Sequence, residues 1–545
     1  MKYVIVGAVA GGASAAARLR RLNEHAEIVI FEKGAYISYA NCGLPYYIGN
    51  VIADRNKLFV QTAAAFNARF NVDVRVQTEV TAINTELKTI EARNLQTGEV
   101  YTESYDKLLL SPGAEPIKPP LPGINLEGIF TLRNVTDTDY IKAWADKHKT
   151  GKAVVVGAGF IGLEMAENLH HLGMDVSVIE MGKQVMAPLD IEMAAHVQNH
   201  IKSKGVHLYL NNGVKGFEKQ EKGMHVMLQD GSHLEADIVI LSIGVKPDTK
   251  LATLAGLNLG PAKGIWVNHF LQTSNQDIYA VGDAIEFTNP ITGNSMPTYL
   301  AGPANKQGRM AANNMVFGNK ESYKGSINTA IVKVFDITVA TAGMASKHLQ
   351  ASNIPHLVST THSGSHAGYY PGAQQMSIQL VFSPENGRVL GAQIVGYEGT
   401  DKRIEMLSAI IKNDGNLGHV TALEHAYAPP FSSAKDPVNM AGFVAENMLL
   451  KRMPVVYWNG LNQVENSFLV DVRTSTEFAE GHIPGAVNIP VDDIRQRLDE
   501  FKDKGTVIAY CALGQRGYLA QQILVQNNIP TLNLSGGYRT WSAMQ

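Results

Sequence analysis

Two cysteines, Cys42 and Cys511, are the only thiols in this chain of 545 residues. Cys42 has no second cysteine near it in the sequence, so an internal dithiol pair cannot form there. A single thiol can still cycle through a mixed disulfide with a small thiol, a sulfenic acid or a persulfide. The reactive form is the thiolate, and we expect local dipoles to lower the pKa of Cys42. Redox chemistry at this sulfur is one interpretation of the pattern; the other is a small, buried, apolar cysteine, which is the commoner case.

Cys511 follows a β-rich segment and opens a loop of small and polar residues that ends at Arg516. Backbone N–H groups curled around a sulfur at a helix N-terminus stabilise thiolate and persulfide anions alike. The guanidinium of Arg516 stays charged near neutral pH. Such a loop can carry sulfur on Cys511, and the alternative is a surface cysteine beside an anion pocket.

Two segments have the order strand, glycine turn, helix, strand and acid that is typical of dinucleotide binding. A helix N-terminus offers free N–H groups to a pyrophosphate, and the acid accepts the ribose hydroxyls. Val9 departs from the first motif, because it occupies the middle glycine position. Glu180 ends the second motif and predicts NADH over NADPH, since a carboxylate repels a 2′-phosphate. The motif residues are Lys2–Val6, Gly7, Gly11, Gly12 and Glu32 in the first segment and 153–156, Gly157, Gly159, Gly162 and Glu180 in the second.

The pattern of residue types changes twice in the rest of the chain. Residues 326–399 alternate β-branched and aromatic residues and are followed by helical segments to about residue 450, which indicates an α+β domain. After a linker at 451–454, short buried strands at 468–472 and 506–510 alternate with helical segments. This pattern predicts a separate small α/β domain at the C-terminus.

Composition narrows the function classes. The formal net charge of -3 provides no basic field for nucleic acid, and no apolar run reaches the roughly 20 residues needed to span a bilayer. At the N-terminus, glycines and the basic residues Arg18, Arg20 and Arg21 favour a strand, turn and helix over an export signal. Two cysteines allow no disulfide framework. We expect a cytoplasmic protein with neither nucleic acid nor membrane as partner.

These motifs, with Gly282 and Asp283 closing another apolar strand, carry a family resemblance. Residues 1–450 resemble the pyridine nucleotide–disulfide oxidoreductases. Within that family they look most like the coenzyme A-disulfide reductase branch, because of the segment at residues 38–46. The last 90 or so residues resemble a rhodanese domain through 471–473, 480–486 and 511–517. The fused arrangement is similar to coenzyme A-disulfide reductase–rhodanese proteins, NADH-dependent persulfide reductases among them.

The resemblance implies an α/β fold with two Rossmann-like nucleotide-binding domains, an α+β dimerisation domain and a C-terminal α/β rhodanese domain. The implied boundaries are 1–149 with 245–325 for FAD binding, 150–244 for NADH binding, 326–450 for dimerisation and 455–545 for the rhodanese domain.

It also implies a homodimeric flavoenzyme that passes electrons from NADH through FAD to a sulfur–sulfur bond at Cys42. The acceptor is coenzyme A persulfide, coenzyme A disulfide or polysulfide, and Cys511 carries sulfane sulfur. One alternative is an NADH oxidase or peroxidase with a sulfenic acid on Cys42. Another is a flavin redox sensor with a rhodanese domain that only binds partners. The tyrosine pair Tyr369 and Tyr427 and the rhodanese domain argue against the oxidase. The loop from Cys511 to Arg516 argues against a purely structural domain.

The site residues follow from the same resemblance, and no metal site is expected. The catalytic set is Cys42, Cys511, Arg516, Tyr369 and Tyr427, with Tyr370 as a rival to Tyr369; the two phenols reach the active site of the partner subunit. The FAD set is Gly7, Ala10, Gly11, Gly12, Glu32, Lys33, Asn41, Val80, Ser111, Gly113, Arg133 and Asp283. The NADH set is Gly157, Gly159, Phe160, Ile161, Gly162, Glu164, Glu180 and Gly244. The coenzyme A set is Ser14, Arg18, Arg21, Ser38, Asn41 and Lys435.

Overall fold

The fold class expected from the sequence is confirmed in the computed structural model, which describes residues 1–545. The chain divides into two units, Met1–Val185 with Gly205–Asn328 and Met186–Lys204 with Thr329–Gln545. No helix combines the length and the apolar character that crossing a membrane requires.

The first motif builds a five-stranded parallel sheet in the first unit. The strands Lys2–Val6, Glu27–Phe31 and Lys107–Leu110 are largely apolar and buried, as in sheets that helices cover on both faces. Because parallel strands end at one edge, Gly7, Glu32 and Ser111 are brought together there. The strand order is Ile278–Ala280, Lys107–Leu110, Lys2–Val6, Glu27–Phe31 and Asp73–Arg75.

The second motif repeats this architecture. The strand Lys152–Val156 lies at the centre of its sheet, and the helix Phe160–His171 follows it through the glycine turn. Gly157 and Glu180 therefore meet at the carboxyl edge, as Gly7 and Glu32 do in the first sheet. The strand order is His207–Tyr209, Asp175–Ile179, Lys152–Val156, Ile238–Leu241 and Ile129–Phe130.

Smaller sheets and the remaining helices complete the first unit. The antiparallel sheets are Thr78–Asn84, Thr89–Asn94 and Val100–Ser104; Val214–Lys219, Met224–Leu228 and His233–Ala236; and Ala114–Pro116 with Val245–Pro247. A mixed sheet holds Ile265–Trp266, Ile285–Thr288 and Ser295–Pro297. The helices are Ala10–Leu22, Leu44–Ile48, Ala63–Phe70, Val135–Lys147, Phe160–His171, Lys250–Leu254 and Ala301–Phe317, with 3-10 turns at Asn41–Gly43, Arg55–Leu58 and Gly282–Ala284.

The second unit has one antiparallel and one parallel sheet of five strands each. The antiparallel order is Ala330–Val334, Ile337–Gly343, Val389–Gly396, Gln375–Phe382 and Leu357–Gly364. The parallel order is Val455–Val456, Thr531–Leu534, Thr506–Tyr510, Ser467–Asp471 and Val487–Asn488. The helices are Ile191–Ser203, Ser346–Ala351, Thr400–Lys412, Leu417–Thr421, Pro437–Leu449, Ser475–Ala479, Gln515–Gln526 and Gly537–Ala543, with 3-10 turns at Trp458–Gln463, Ile494–Gln496 and Leu498–Phe501.

The segment Met186–Lys204 lies within the predicted NADH-binding range 150–244 but groups with the second unit. Its N-terminal Asp190 is buried and accepts hydrogen bonds from the Gln393 amide at 2.6 Å and the Ser346 backbone N–H at 2.9 Å. These bonds hold the start of helix Ile191–Ser203 against the antiparallel sheet.

Candidate active sites around Cys42 and Cys511

A cavity of about 510 Å³ opens at the carboxyl edge of the first sheet, and Cys42 is part of its wall. Cys42 lies in the 3-10 turn Asn41–Gly43, which leads directly into helix Leu44–Ile48. A smaller cavity of about 260 Å³ contains Val80 and shares Gly7, Glu32 and Lys33 with the first. The predicted FAD residues that line the larger cavity are Gly7, Ala10, Gly11, Glu32, Lys33, Asn41, Ser111, Gly113, Arg133 and Asp283.

Gly12 is the one predicted FAD residue that lines neither cavity. A Cβ at Gly12 would stand 1.9 Å from the carbonyl oxygen of Gly7, so this glycine lets the helix approach the strand closely. Val9 has a φ of -103° in the same turn, outside the left-handed region that favours glycine. At the matching position of the second motif, a Cβ on Gly159 would meet no atom within 4 Å.

The two motif acids are held in the same way. Glu32 accepts hydrogen bonds from the backbone N–H groups of Ala8 at 2.9 Å and Gly34 at 2.8 Å. Glu180 accepts them from Ala158 at 2.9 Å and Gly182 at 2.7 Å. Each carboxylate is thus fixed at a strand end, where its remaining lone pairs can accept hydrogen bonds from hydroxyl groups. Around Glu180, the predicted NADH residues Phe160, Ile161 and Gly162 form the first turn of helix Phe160–His171, and Gly157 and Gly244 lie in the turns after strands Lys152–Val156 and Ile238–Leu241.

The protein's own groups raise the pKa of Cys42, so the expectation of a lowered pKa is wrong for the polypeptide. The thiol is exposed to the open cavity, yet the cavity walls displace enough water to make this loss of solvation the largest cause. The negative charges of Glu164 and Asp283 raise the pKa further. The effect of these two charges on Cys42 was not predicted, because both carboxylates are far from Cys42 in the sequence.

Tyr46, four residues after Cys42, donates a hydrogen bond of 3.1 Å from its hydroxyl to Oε1 of Glu164. Burial raises the pKa of Glu164 to about 7, although the bond from Tyr46 opposes the shift. Glu164 was predicted as a nicotinamide-site residue, and the structure additionally places it close enough to Cys42 to affect the thiol. The role of Tyr46 had no separate signal, because only the packing of helix Leu44–Ile48 against helix Phe160–His171 creates the contact.

Three predicted coenzyme A residues lie on helix Ala10–Leu22. Arg21 is exposed, whereas Arg18 donates from Nε to Oδ1 of Asn313 at 2.8 Å, and the Ser14 hydroxyl donates to Oδ1 of Asn305. Partial desolvation, followed by Arg309 and Arg21, lowers the pKa of Arg18. Arg309, on helix Ala301–Phe317, therefore adds a third cation that the sequence analysis missed. The sequence gives no sign of the role of Arg309, because neither helix sequence specifies that these two helices pack together.

The other predicted coenzyme A residues lie outside this helix, in loops and in a 3-10 turn. Ser38 adopts a left-handed φ of 45°, and its N–H donates to the carbonyl of Ala8 at 2.9 Å. Asn41 is exposed at the start of the turn that carries Cys42. Lys435 is exposed in the second unit.

In the second unit, the hydroxyls of Tyr369 and Tyr427 are 2.7 Å apart and form a hydrogen bond. Both side chains are exposed, at 76% and 47% of their surface. Tyr370 instead packs edge-on against the ring of His366. The geometry therefore pairs Tyr369, and not Tyr370, with Tyr427.

A buried ion pair fixes the loops that carry these tyrosines and Lys435. Arg403 donates from Nη2 to Oδ2 of Asp436 at 2.9 Å, and both side chains are at most 1% exposed. The same Nη2 donates to the carbonyl of Ser365 at 2.9 Å, four residues before Tyr369. Asp436 follows Lys435 directly and accepts the N–H of Val438 at 2.9 Å as helix Pro437–Leu449 begins.

Cys511 is buried at the end of strand Thr506–Tyr510. Its Sγ accepts the backbone N–H of Gly514 at 3.1 Å, and its carbonyl accepts the N–H of Tyr538 at 2.8 Å. Gly514 has a φ of +100°, a left-handed conformation that turns the loop into helix Gln515–Gln526. The predicted loop around a sulfur at a helix N-terminus is therefore present.

Arg516 lies in the first turn of that helix and makes a two-pronged ion pair with Glu477. Its Nη1 and Nη2 donate to the two carboxylate oxygens at 2.7 and 2.6 Å. The hydrogen bond from Arg516 is the main cause that lowers the pKa of Glu477 to about 2. Sequence reasoning missed Glu477, although Thr474 and Glu477 form a capping box, which is a recognisable local pattern.

Comparison with protein families agrees with this architecture. Residues 1–313 match the pyridine nucleotide-disulphide oxidoreductase family, 329–437 its dimerisation domain and 454–544 the rhodanese-like domain. Coenzyme A disulfide reductase from Staphylococcus haemolyticus is 36% identical over 447 residues, which are 82% of this chain and 100% of that protein.

Two solved structures are similar over almost the whole length. Reduced CoADR-RHD from Bacillus anthracis is 47% identical with a TM-score of 0.97, covering 99% of this chain and 98% of that one. A NAD-dependent persulfide reductase from A. fulgidus is 35% identical with a TM-score of 0.94, covering 99% and 100%. The chain therefore belongs to the pyridine nucleotide-disulphide oxidoreductase family, whose cofactors are FAD and NAD(H), and it ends in a rhodanese-like domain.

Proposed function

We propose that this protein reduces the sulfur–sulfur bond of coenzyme A persulfide, coenzyme A disulfide or polysulfide with electrons from NADH. The observation that carries the proposal is the placement of the only two cysteines. Cys42 lines the cavity built from the first nucleotide motif, and Cys511 lies in the N–H-lined loop of the rhodanese-like domain. Support also comes from relatives that are a coenzyme A disulfide reductase and a persulfide reductase.

The residues at the first cavity fit FAD. The N-terminus of helix Ala10–Leu22 offers N–H groups to the pyrophosphate, and Glu32 is fixed where a ribose would lie. Gly12 has no side chain and lets this helix approach strand Lys2–Val6 closely, which maintains the turn between them. When bound, FAD supplies a carrier that accepts hydride from NADH and passes on two electrons. NADH would be held by the second motif, with Glu180 at its ribose.

Cys42 would act as the nucleophile. Its thiolate attacks coenzyme A persulfide, CoA–S–SH, to form the mixed disulfide Cys42–S–S–CoA and release HS⁻. Two electrons and one proton then return the Cys42 thiolate and release coenzyme A as its thiol. Because ionised Glu164 opposes the thiolate, the nucleophile forms more readily while Glu164 is protonated.

Coenzyme A carries three phosphoryl groups and needs cations. Arg18 and Arg21 would supply them, and Arg309 extends the same basic patch. Ser14, Ser38 and Asn41 would complete the part of the site that lies in the first unit. The exposed phenols of Tyr369 and Tyr427 fit groups that protonate a leaving thiolate, and in a homodimer they would serve the Cys42 site of the partner subunit.

The rhodanese-like domain would carry sulfane sulfur on Cys511. The Gly514 N–H and the first turn of helix Gln515–Gln526 stabilise an anionic sulfur there. Arg516 also interacts with Cys511, since Glu477 first and then the cysteine raise the pKa of Arg516.

Stopped-flow oxidation of NADH against coenzyme A persulfide, coenzyme A disulfide, polysulfide and O₂ tests this function. We expect fast turnover with a sulfur acceptor and slow turnover with O₂. Cys42→Ser should lower sulfur reduction by about 10³-fold or more, in line with removal of a covalent nucleophile. Flavin reduction by NADH should survive, because that half-reaction does not use the thiol.

Cys511→Ser serves as the matched control, since it removes the other thiol. It should retain most coenzyme A persulfide reduction, because that substrate is small enough to reach Cys42 directly. Near-normal sulfur reduction by Cys42→Ser, or O₂ as the preferred acceptor, would contradict the proposal.

A further inference from the structure

The loop that carries Tyr427 contains a buried histidine, His425, two residues earlier. The side chain of His425 is 8% exposed, whereas Ala426 and Tyr427 are exposed. The chain therefore turns from the protein interior to the surface within two residues. Between helices Leu417–Thr421 and Pro437–Leu449 the loop has no helix or strand of its own, so its path depends in large part on side-chain contacts.

Hydrogen bonds anchor the far end of this loop, but the imidazole at its near end makes none. Lys402 donates from Nζ to the carbonyl of Phe431 at 2.7 Å, and the Ser432 hydroxyl donates to Asp436. Nε2 of His425 is buried without a hydrogen-bond partner, and Nδ1 lies 3.8 Å from Oδ1 of Asp436, which is too far for a hydrogen bond. Packing therefore holds the imidazole in place.

Charged groups face His425 from two sides. Lys402 and Arg403 lie on helix Thr400–Lys412, and Asp436 lies at the far end of the loop. Burial is the largest cause that lowers the pKa of His425; Asp436 opposes the shift, whereas Arg403 and Lys402 add to it. Two cations already face one carboxylate here, so a proton on the imidazole would raise the net charge of the cluster from one to two.

We propose that uncharged His425 is a positioning residue, which holds the loop so that Tyr427 meets Tyr369, and that its protonation releases the loop and separates the two phenols. The inference rests on the proposed role of these phenols in sulfur reduction and adds how the pair is held and regulated. A histidine whose pKa is lowered by folding stabilises the loop above its unfolded pKa of about 6.5, and this contribution is lost as the pH falls through the folded value. The phenol pair should therefore be closed at neutral pH and open in acid.

Fluorine NMR of the full-length, FAD-bound protein labelled with 3-fluorotyrosine measures the state of the pair. Tyr427→Phe identifies the Tyr427 resonance by its absence. We expect this resonance to shift between about pH 7.5 and about pH 5 in the unaltered protein. It should keep its neutral-pH position in His425→Gln, which cannot take up a proton. The measurement needs no turnover, so it tests the inference independently of the proposed reductase activity.

The pH dependence of kcat for NADH oxidation with coenzyme A persulfide gives a second readout. Separated phenols cannot protonate the leaving thiolate, so the ratio of kcat at about pH 5 to kcat at about pH 8 should be about threefold higher in His425→Gln than in the unaltered protein. Ionisation of Cys42 affects both proteins alike. His425→Leu should give the same higher ratio, because it is never charged and Nε2 of His425 makes no hydrogen bond to lose.

His25→Gln removes an exposed histidine from the first unit and serves as the matched control, with the pH dependence of the unaltered protein expected. A Tyr427 resonance that does not move in the unaltered protein, or that moves equally in His425→Gln, would overturn the inference. An equal loss of kcat at both pH values in the His425 variants would also overturn it, since it would assign His425 a packing role alone. Failure of the reductase proposal would appear differently, as absent NADH oxidation by sulfur acceptors.

Discussion

The Tyr46 hydroxyl and the Glu164 carboxylate, 118 positions apart in the sequence, share a hydrogen bond of 3.1 Å beside Cys42. Burial raises the pKa of Glu164 to about 7, and Glu164 in turn raises the pKa of Cys42. After burial, the charge of this one carboxyl group is therefore the next largest influence on how easily the Cys42 thiol ionises.

Replacing Glu164 with Gln should lower the pKa of Cys42, because a negative charge beside the thiolate is removed. We expect the pH midpoint of Cys42 alkylation by iodoacetamide to fall, measured in a Cys511→Ser background. Tyr46→Phe should act in the same direction, because loss of its bond raises the pKa of Glu164 above 7 and keeps it neutral at higher pH. Glu115→Gln removes an equal charge from another wall of the cavity and serves as the control. An unchanged midpoint in Glu164→Gln would contradict the coupling.

Glu180 should make the protein prefer NADH over NADPH. Its carboxylate is fixed by the N–H groups of Ala158 and Gly182 where it would repel a 2′-phosphate. Glu180→Gln should lower the NADH to NADPH ratio of kcat/KM by about tenfold, equivalent to 1.4 kcal/mol. Adding Met181→Arg should shift the ratio further toward NADPH. A kcat/KM for NADPH that equals or exceeds that for NADH in the unaltered protein would remove Glu180 as the discriminator.

Tyr369→Phe and Tyr427→Phe should each lower kcat for sulfur reduction by about a hundredfold, as loss of a general acid does. The bond to Tyr427 raises the pKa of Tyr369, so the phenol remains a proton donor at neutral pH. The double variant should lose little more than either single one, because the two hydroxyls act together. Tyr370→Phe is the matched control, since its ring packs against His366, and full activity is expected. Equal losses for all three variants would indicate a packing role only.

Asp436→Asn should lower the free energy of unfolding by about 3–5 kcal/mol, because Arg403 would be left buried without a matching charge. Burial opposes ionisation of Asp436, but hydrogen bonds from Arg403 and Ser432 lower its pKa overall. A carboxyl with a lowered pKa stabilises the fold above its unfolded pKa and loses this contribution as the pH falls through the folded value.

The difference between the unaltered protein and Asp436→Asn should therefore be constant above about pH 5 and shrink below about pH 4. Urea unfolding across this range measures it. Asp401→Asn, an exposed change on the helix that carries Arg403, should have little effect. A difference that does not vary with pH would assign the loss to hydrogen bonding alone.

The sequence by itself determined the nucleotide-binding architecture and singled out the two cysteines as the candidate reactive sulfurs. Glycine turns, the acids Glu32 and Glu180 and the loop after Cys511 are local patterns whose backbone requirements can be read from a few neighbouring residues. Val9 departs from the first motif, and its φ lies outside the left-handed region that favours glycine.

Only the tertiary structure decided which side chains pair with one another at the candidate sites. The bonds from Tyr46 to Glu164 and from Arg516 to Glu477, and the choice of Tyr369 over Tyr370, depend on elements that meet from distant parts of the chain. The pKa of Cys42 was predicted in the wrong direction for the same reason. Desolvation and charge interactions depend on distances in space, and sequence spacing specifies these distances only within a turn or a single helix.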